Sequence, residues 1–137
     1  MRSGWRRLIP RLKRALGASV APTGVGLKPA RERLLKYLKG TGLEIGALHR
    51  PMPADPHRMT VRYVDCMSLE EQRRHYPELA ALPFVSPDIV AEADALGMLG
   101  DDSQDFVIAN HLLEHVPDPI GALKEWYRVL RRDGILF

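Results

Sequence analysis

Four residues that could contact a ligand each follow a short, largely apolar stretch of the sequence. These residues are Gly46, Asp65, Asp94 and Asn110, and Asp65 lies 19 residues beyond Gly46. Polar groups at the carboxyl ends of buried parallel strands are where open α/β sheets bind ligands. An acidic residue at the spacing of Asp65 can accept hydrogen bonds from both hydroxyls of a ribose. The pattern indicates a ribose-containing ligand, although a capping or turn role for each aspartate stays open.

The turn after the first of these stretches contains one glycine. Gly46 would let a ligand approach the backbone where a Cβ atom would block it. The next residues are Ala-Leu-His-Arg-Pro, so the second and third glycines of the dinucleotide-binding pattern are missing. No helix that could bind a pyrophosphate can begin at this point, which argues against NAD or FAD.

The segment from His111 to His115 reads His-Leu-Leu-Glu-His and fits the H-x-x-E-H zinc-peptidase motif. Such a site needs both histidines on one helix face, a glutamate base and a third protein ligand. Pro117 and Pro119 break any helix there after about one turn, so we expect no metal. Histidine titrates near neutral pH, and His111 and His115 are therefore candidates for an acceptor site or for a structural role.

The elements that must position these residues are short strands separated by helices or long connections. This alternation predicts a three-layer α/β fold with a mostly parallel sheet. Three prolines exclude a regular helix from residues 47–60. The predicted strands are 43–46, 61–65, 88–93, 106–109 and the start of a fifth at 135–137, and the predicted helices are 30–39, 69–81 and 119–131.

Local signals define the ends and faces of these helices. Ser68 and Glu71 predict a capping box for the second helix, and Asp118 and Gly134 predict the N-cap and the stop of the third. We expect its apolar face to contain Ile120, Leu123, Tyr127 and Leu130, with Trp126 also in the core. Its basic residues, Arg128, Arg131 and Arg132, are expected to form a solvated face.

The distribution of charge divides the chain into two parts. Residues 1–40 contain 11 Lys and Arg against one acidic residue, whereas residues 41–137 contain 9 against 16. The acidic body disfavours nucleic acid as a partner. Residues 1–28 are predicted to be a basic arm and linker, and residues 29–137 a domain. The amphipathic pattern of residues 2–16 suits contact with a membrane surface or a protein, or a frayed terminus.

The single cysteine, Cys66, allows no intrachain disulfide and favours a reducing, cytoplasmic location. No apolar run approaches the length of a membrane-spanning helix.

The stretch from Asp105 to Pro119 reads Asp-Phe-Val-Ile-Ala-Asn-His-Leu-Leu-Glu-His-Val-Pro-Asp-Pro and continues to Arg-Val-Leu-Arg-Arg-Asp-Gly. It resembles the fourth strand, following helix and fifth strand of class I S-adenosylmethionine-dependent methyltransferases, in particular the type 11-like domain. The resemblance extends over about residues 43–137. It implies a Rossmann-like sheet, incomplete after the fifth strand, and S-adenosylmethionine as the cofactor.

The resemblance also implies roles for particular residues. Glu44 and Gly46 would lie beside the cofactor, Asp65 would bind the ribose, and Asp94 and the Ala95 N–H would bind the adenine. Asn110 would lie near the sulfonium or the methionine carboxylate, and the acceptor, for which His111 and His115 are candidate contacts, would bind beside it.

Two departures from the family bear on function. A proline-rich loop from Ala47 to Thr60 replaces the glycine-rich turn and first crossover helix. A similar arrangement in methyltransferase-like proteins of surface polysaccharide synthesis suggests a small-molecule or saccharide-related acceptor. The family's domain also continues beyond the fifth strand, so we expect a truncated domain. The expected activity is methyl transfer, and the alternative is a catalytically inactive binding module.

Overall fold

The computed structural model describes residues 27–137, and the predicted basic pattern of residues 2–16 lies outside them. The strands alternate with helices or irregular connections, as the sequence predicts. Single 3-10 turns lie at Pro77–Leu79 and Leu113–His115. The main elements are α1 (Leu27–Leu35), β1 (Gly40–Ile45), β2 (Met59–Asp65), α2 (Leu69–His75), β3 (Ile89–Val90), β4 (Gln104–Ile108), α3 (Pro119–Val129) and β5 (Leu130–Leu136).

The five strands form one open sheet in the order β3-β2-β1-β4-β5, and every neighbouring pair is parallel. This confirms the predicted Rossmann-like α/β fold. The chain runs outward from β1 to β2 and β3, and then returns to the other side of β1 with β4. Such a reversal of strand order leaves a crevice at the carboxyl ends of the strands, here between β1 and β4.

The close pairing of β1 with β4 depends on Gly42. In the parallel register Gly42 lies opposite Phe106, and a Cβ atom on Gly42 would overlap the ring and the carbonyl oxygen of Phe106. Phe106 is fully buried and packs with Leu38, Met52 and Ile108 on the α1 side of the sheet. A residue without a side chain is thus required at position 42 for the ring to cover β1.

The opposite face of the sheet packs against α3. Ala122, Trp126 and Val129 are the buried residues of this helix. The predicted apolar face is wrong for two residues, because 60% of Ile120 and 82% of Tyr127 are exposed. The face that is buried is rotated around the helix axis by about one residue from the predicted face. Both faces carry apolar side chains, so the sequence pattern does not distinguish them. Leu123 packs partly against the core, and Leu130 is buried at the start of β5.

The predicted starts of the later helices agree better with the structure than the predicted ends. The Ser68–Glu71 capping box is present, and Asp118 accepts a hydrogen bond from the Gly121 N–H at 2.9 Å. However, α2 ends at His75, because Pro77 begins a separate 3-10 turn. Gly134 does not stop α3 but lies inside β5.

Other predicted boundaries are also corrected by the structure. Helix α1 begins at Leu27 and ends at Leu35, earlier than the predicted 30–39. Strand β3 contains only Ile89 and Val90, so Glu92 lies beyond its end. Residues 47–58 contain no regular helix, as their prolines predict. Across residues 27–137, no helix is long and apolar enough to cross a membrane.

We expect Gly42→Ala to destabilise the chain by about 1–3 kcal/mol or more, because the added methyl group forces β1 and β4 apart. The matched control is Gly97→Ala, since a Cβ atom at Gly97 meets no atom within 4 Å. That substitution should be neutral or stabilise by up to about 1 kcal/mol through the unfolded chain. Chemical denaturation measures both, and equal effects would contradict the packing argument.

Candidate functional site

The carboxyl edge of the sheet brings together the segments that carry the predicted site residues. The Gly46 N–H donates to the Val64 carbonyl at 2.9 Å, and the Ala91 N–H donates to the Asp65 carbonyl at 2.9 Å. These bonds extend the parallel pairing to the last residues of β1 and β2. Asp94 follows β3 and Asn110 follows β4, so both lie on segments that leave the same edge.

The backbone at the mouth of the crevice is constrained on both sides. Gly46 is exposed and has φ +72°, a conformation that favours glycine. A Cβ atom there would meet only Leu112, at 3.4 Å, so conformation rather than lack of space requires the glycine. Leu48 and His111 also have positive φ angles, of 50° and 52°. Such strained residues cluster at ligand sites.

Asp65 supplies a partly buried carboxylate at the end of β2. Its Oδ1 accepts a hydrogen bond from the Met67 N–H at 2.9 Å. Burial raises the pKa of this carboxyl, and hydrogen bonds from Met67, Gln72 and Cys66 oppose that rise. This geometry provides the acceptor that a ribose diol requires.

Glu44 has a partner within the protein. The side chain is 2% exposed, and both carboxylate oxygens accept from the Met52 N–H, at 2.9 and 3.0 Å. Arg31 contacts the same loop from outside, through the Met52 sulfur at 3.1 Å and the Arg50 carbonyl at 3.2 Å. Burial raises the pKa of Glu44 to about 7, opposed by the Met52 bond and the charge of Arg31. In this structure Glu44 therefore holds the proline-rich loop.

The segment after β3 carries the predicted adenine contacts. The Ala95 N–H, expected to face the adenine ring, donates to the Glu92 carbonyl at 3.1 Å. A bound ring would have to share or displace this hydrogen bond. Trp126 Nε1 donates to the carbonyl of Ala93, the residue before Asp94, at 2.7 Å.

The two histidines after β4 do not share a helix face. His111 is 86% exposed and His115 is 22% exposed in their side chains, and both lie near Glu114, at 3.5 and 3.9 Å. Only a single 3-10 turn covers Leu113–His115, so the helix that the zinc-peptidase motif needs is not formed. In the described part of the chain, no three His, Cys, Asp or Glu side chains converge as metal ligands.

Three buried polar atoms on segments that leave the carboxyl edge have no hydrogen-bond partner: His49 Nδ1, Glu92 Oε2 and Asn110 Nδ2. Buried polar groups are normally bonded, so water or a polar ligand would satisfy these atoms, as it would Gln72 Oε1 in α2 and Gln104 Oε1 at the start of β4. The sequence prediction included Asn110 but missed His49 and Glu92. A predicted β3 that ended at Val90 would have placed Glu92 just beyond the carboxyl end of the strand, where ligand-binding residues are expected. His49 carries no sequence signal beyond its nearness to Gly46. Burial and the charge of Arg50 lower the pKa of His49.

The donors and acceptors at this edge fit S-adenosylmethionine. A carboxylate for the ribose diol, an unpartnered carboxamide donor and an exposed glycine turn are present, and no pyrophosphate cradle is needed. A separate cavity of about 380 Å³ opens at the opposite edge of the sheet, where its walls include Lys39, Asp105 and Arg131. That cavity borders the beginnings of strands, and none of the predicted site residues lines it.

An open parallel sheet of this order, with polar groups at its carboxyl edge, defines the class of Rossmann-like α/β proteins. Residues 39–137 match the family model described as a methyltransferase domain. The match covers well over half of the chain, and the chain belongs to this family. No curated protein matches the chain significantly.

Several solved structures share the fold. The YcgJ protein of Bacillus subtilis is 22% identical with a TM-score of 0.60, and the match covers 80% of this chain and 49% of that one. A possible histamine N-methyltransferase of Thermotoga maritima is 27% identical (TM-score 0.52, coverage 79% and 48%). An arsenic(III) S-adenosylmethionine methyltransferase of Chlamydomonas reinhardtii is 25% identical with a TM-score of 0.51, and the match covers 70% of this chain and 36% of that one. The chain thus spans less than half of the length of each of these three structures.

We expect the contribution of Glu44 to the stability of the chain to fall as the pH rises from about 4.5 to about 7. The raised pKa of Asp65 acts in the same direction, and the lowered pKa of His49 acts in the opposite direction. The folded-state pKa of Glu44 is raised from 4.5 to about 7, so the folded state keeps a proton that the unfolded chain releases. This stabilisation is complete below the unfolded pKa and is lost as the pH rises through the folded one. Its size is roughly 3 kcal/mol.

Glu44→Gln should flatten this pH dependence, because the carboxamide oxygen still accepts from Met52 but does not titrate. Urea unfolding at several pH values measures the profile. Glu32→Gln, on the exposed surface of α1, is the control and should leave the slope intact. If the slope in Glu44→Gln is the same as in the wild type, the pH dependence comes from another group, such as Asp65.

Proposed function

We propose that residues 29–137 form the cofactor-binding portion of a methyltransferase that transfers the methyl group of S-adenosylmethionine to a small-molecule acceptor. The observation that carries the proposal is the set of unpartnered buried polar atoms at the carboxyl edge, beside the reversal of strand order. A saccharide-related acceptor is the specific candidate, supported by the proline-rich loop in place of the first crossover helix.

The residues at the edge have distinct proposed roles. Asp65 accepts from the ribose hydroxyls, and Asp94 accepts from the adenine amino group. The exposed Gly46 turn allows the cofactor to approach the end of β1. The Asn110 carboxamide, whose Nδ2 is buried without a partner, donates to the methionine carboxylate. Glu44 acts indirectly, through the loop that its hydrogen bonds to Met52 hold in place.

The cofactor supplies an electrophilic methyl group, which an oxygen, nitrogen or carbon of the acceptor attacks. The protein's contribution is to hold the two reactants in line and, for an acceptor that carries a proton, to remove it. His111 and His115 are the candidate groups for acceptor contact or proton removal. His111 is the more accessible of the two, because its side chain is 86% exposed.

The similar structures do not identify one acceptor, because their described substrates range from arsenic(III) to histamine. Contact of residues 2–16 with a membrane surface or a protein remains a proposal based on their basic amphipathic sequence. A cytoplasmic location is proposed from the single cysteine.

The second candidate function is a binding module without methyl transfer. It is based on the basic amphipathic sequence of residues 2–16, which suits contact with a membrane surface or a protein. The two functions differ in whether the 137-residue chain binds the cofactor.

We expect the chain to bind S-adenosylhomocysteine saturably in calorimetric titration. Asp65→Asn should weaken binding by about tenfold to a hundredfold, because one of the two acceptors and the charge are lost. The substitution keeps an oxygen that can accept from Met67. The matched control, Asp133→Asn, lies at an exposed position of β5 near the opposite edge and should leave the affinity unchanged.

Two results would count against this assignment. A folded chain that binds no S-adenosylhomocysteine would contradict the proposed cofactor site and favour the binding module. Binding that Asp65→Asn and Asp133→Asn weaken equally would place the nucleoside elsewhere.

A further inference from the structure

The segment that follows β3 is attached to α3 along its whole length. Two side chains of α3 reach across to it, one to the residue before Asp94 and one to residues just after Ala95. Neither was predicted to have a role at the site, and both contact residues about 30 positions away in the sequence.

Trp126 makes the first attachment. The side chain is 2% exposed, and its indole N–H donates to the Ala93 carbonyl at 2.7 Å in a buried hydrogen bond. A buried indole N–H normally has such a partner. The bond fixes the peptide group that links Ala93 to Asp94.

Arg128 makes the second attachment. Its guanidinium donates to the Leu96 carbonyl at 3.1 Å and to the Leu99 carbonyl at 2.9 Å. The same group pairs with Asp101 and with Glu125. The Arg128 guanidinium, followed by the nearby Leu96 N–H, lowers the pKa of Glu125. The expectation of a solvated Arg128 is therefore wrong, because its planar set of donors joins the helix to the segment.

Asp94 and Ala95 lie between these attachments. The Ala93 carbonyl is bound on one side, and the Leu96 carbonyl is bound on the other. Two residues between fixed peptide groups have little backbone freedom. A recognition group held in this way keeps its geometry before the ligand arrives.

We propose that Trp126 and Arg128 are positioning residues that set the recognition of the adenine amino group by Asp94. This inference rests on the proposed function. The Asp94 carboxylate accepts from an amino group, whereas an oxo group at the same ring position would place two acceptors against each other. Discrimination between the two purines depends on where Asp94 is held.

The test compares S-adenosylhomocysteine with S-inosylhomocysteine, in which an oxo group replaces the amino group. We expect the wild-type chain to prefer the adenine ligand by about tenfold or more. Trp126→Phe removes the indole donor, and Arg128→Lys replaces the guanidinium with a group that cannot match its planar set of donors. Each should reduce the preference to about threefold or less.

The controls are the neighbouring exposed residues, Tyr127→Phe and Arg132→Lys, which should keep the wild-type preference. Should Trp126→Phe fail to fold, Arg128→Lys carries the test.

Amide hydrogen exchange gives a readout that needs no ligand. The amides of Leu96 and Leu99 should exchange about tenfold faster in Arg128→Lys than in Arg132→Lys, equivalent to the loss of one hydrogen bond.

Different results contradict the two proposals. Variants that lose affinity for both ligands equally, with the preference intact, overturn the positioning role, as does unchanged exchange at Leu96 and Leu99. A wild-type chain that binds neither ligand contradicts the proposed function itself, and the inference falls with it.

Discussion

The contact of Gly42 with Phe106 is the constraint on which the arrangement of the sheet depends. Because β1 carries no side chain at this position, the Phe106 ring can lie across it and β4 can pair next to β1. That pairing places β2 and β4 on opposite sides of β1 and creates the reversal of strand order. The crevice at the carboxyl edge, with Gly46 and Asn110 on either side, follows from this one close approach.

The flanks of the crevice are held by buried polar contacts rather than by apolar packing alone. On the α1 face of the sheet the Glu44 carboxylate binds the Met52 amide, and on the α3 face the Trp126 indole and the Arg128 guanidinium bind carbonyl groups of the segment after β3. Hydrogen bonds to fixed donors specify direction as well as distance. Loops held in this way can present ligand-binding groups without belonging to a helix or a strand.

Local patterns were sufficient to predict the order of the elements, the capping box at Ser68 and the N-cap at Asp118, because these depend on neighbouring residues. Side chains with distant partners were not predictable. Arg128 was read as solvated, since nothing near it in the sequence reveals the carbonyls of Leu96 and Leu99. Tyr127 and Trp126 are adjacent and both aromatic, and the face that is buried depends on where the segment after β3 lies.

The connection from β1 to β2 consists of turns and extended residues rather than a regular helix, and this alters the conformational entropy that the chain loses on folding. Pro51, Pro53 and Pro56 fix their own φ angles in the unfolded chain as well as in the folded one. Fewer conformations are therefore lost when residues 47–58 become ordered. The hydrogen bonds from the Met52 N–H to Glu44 therefore have a smaller loss of entropy to offset. A single buried carboxylate can then hold a connection between parallel strands that a packed helix would otherwise stabilise.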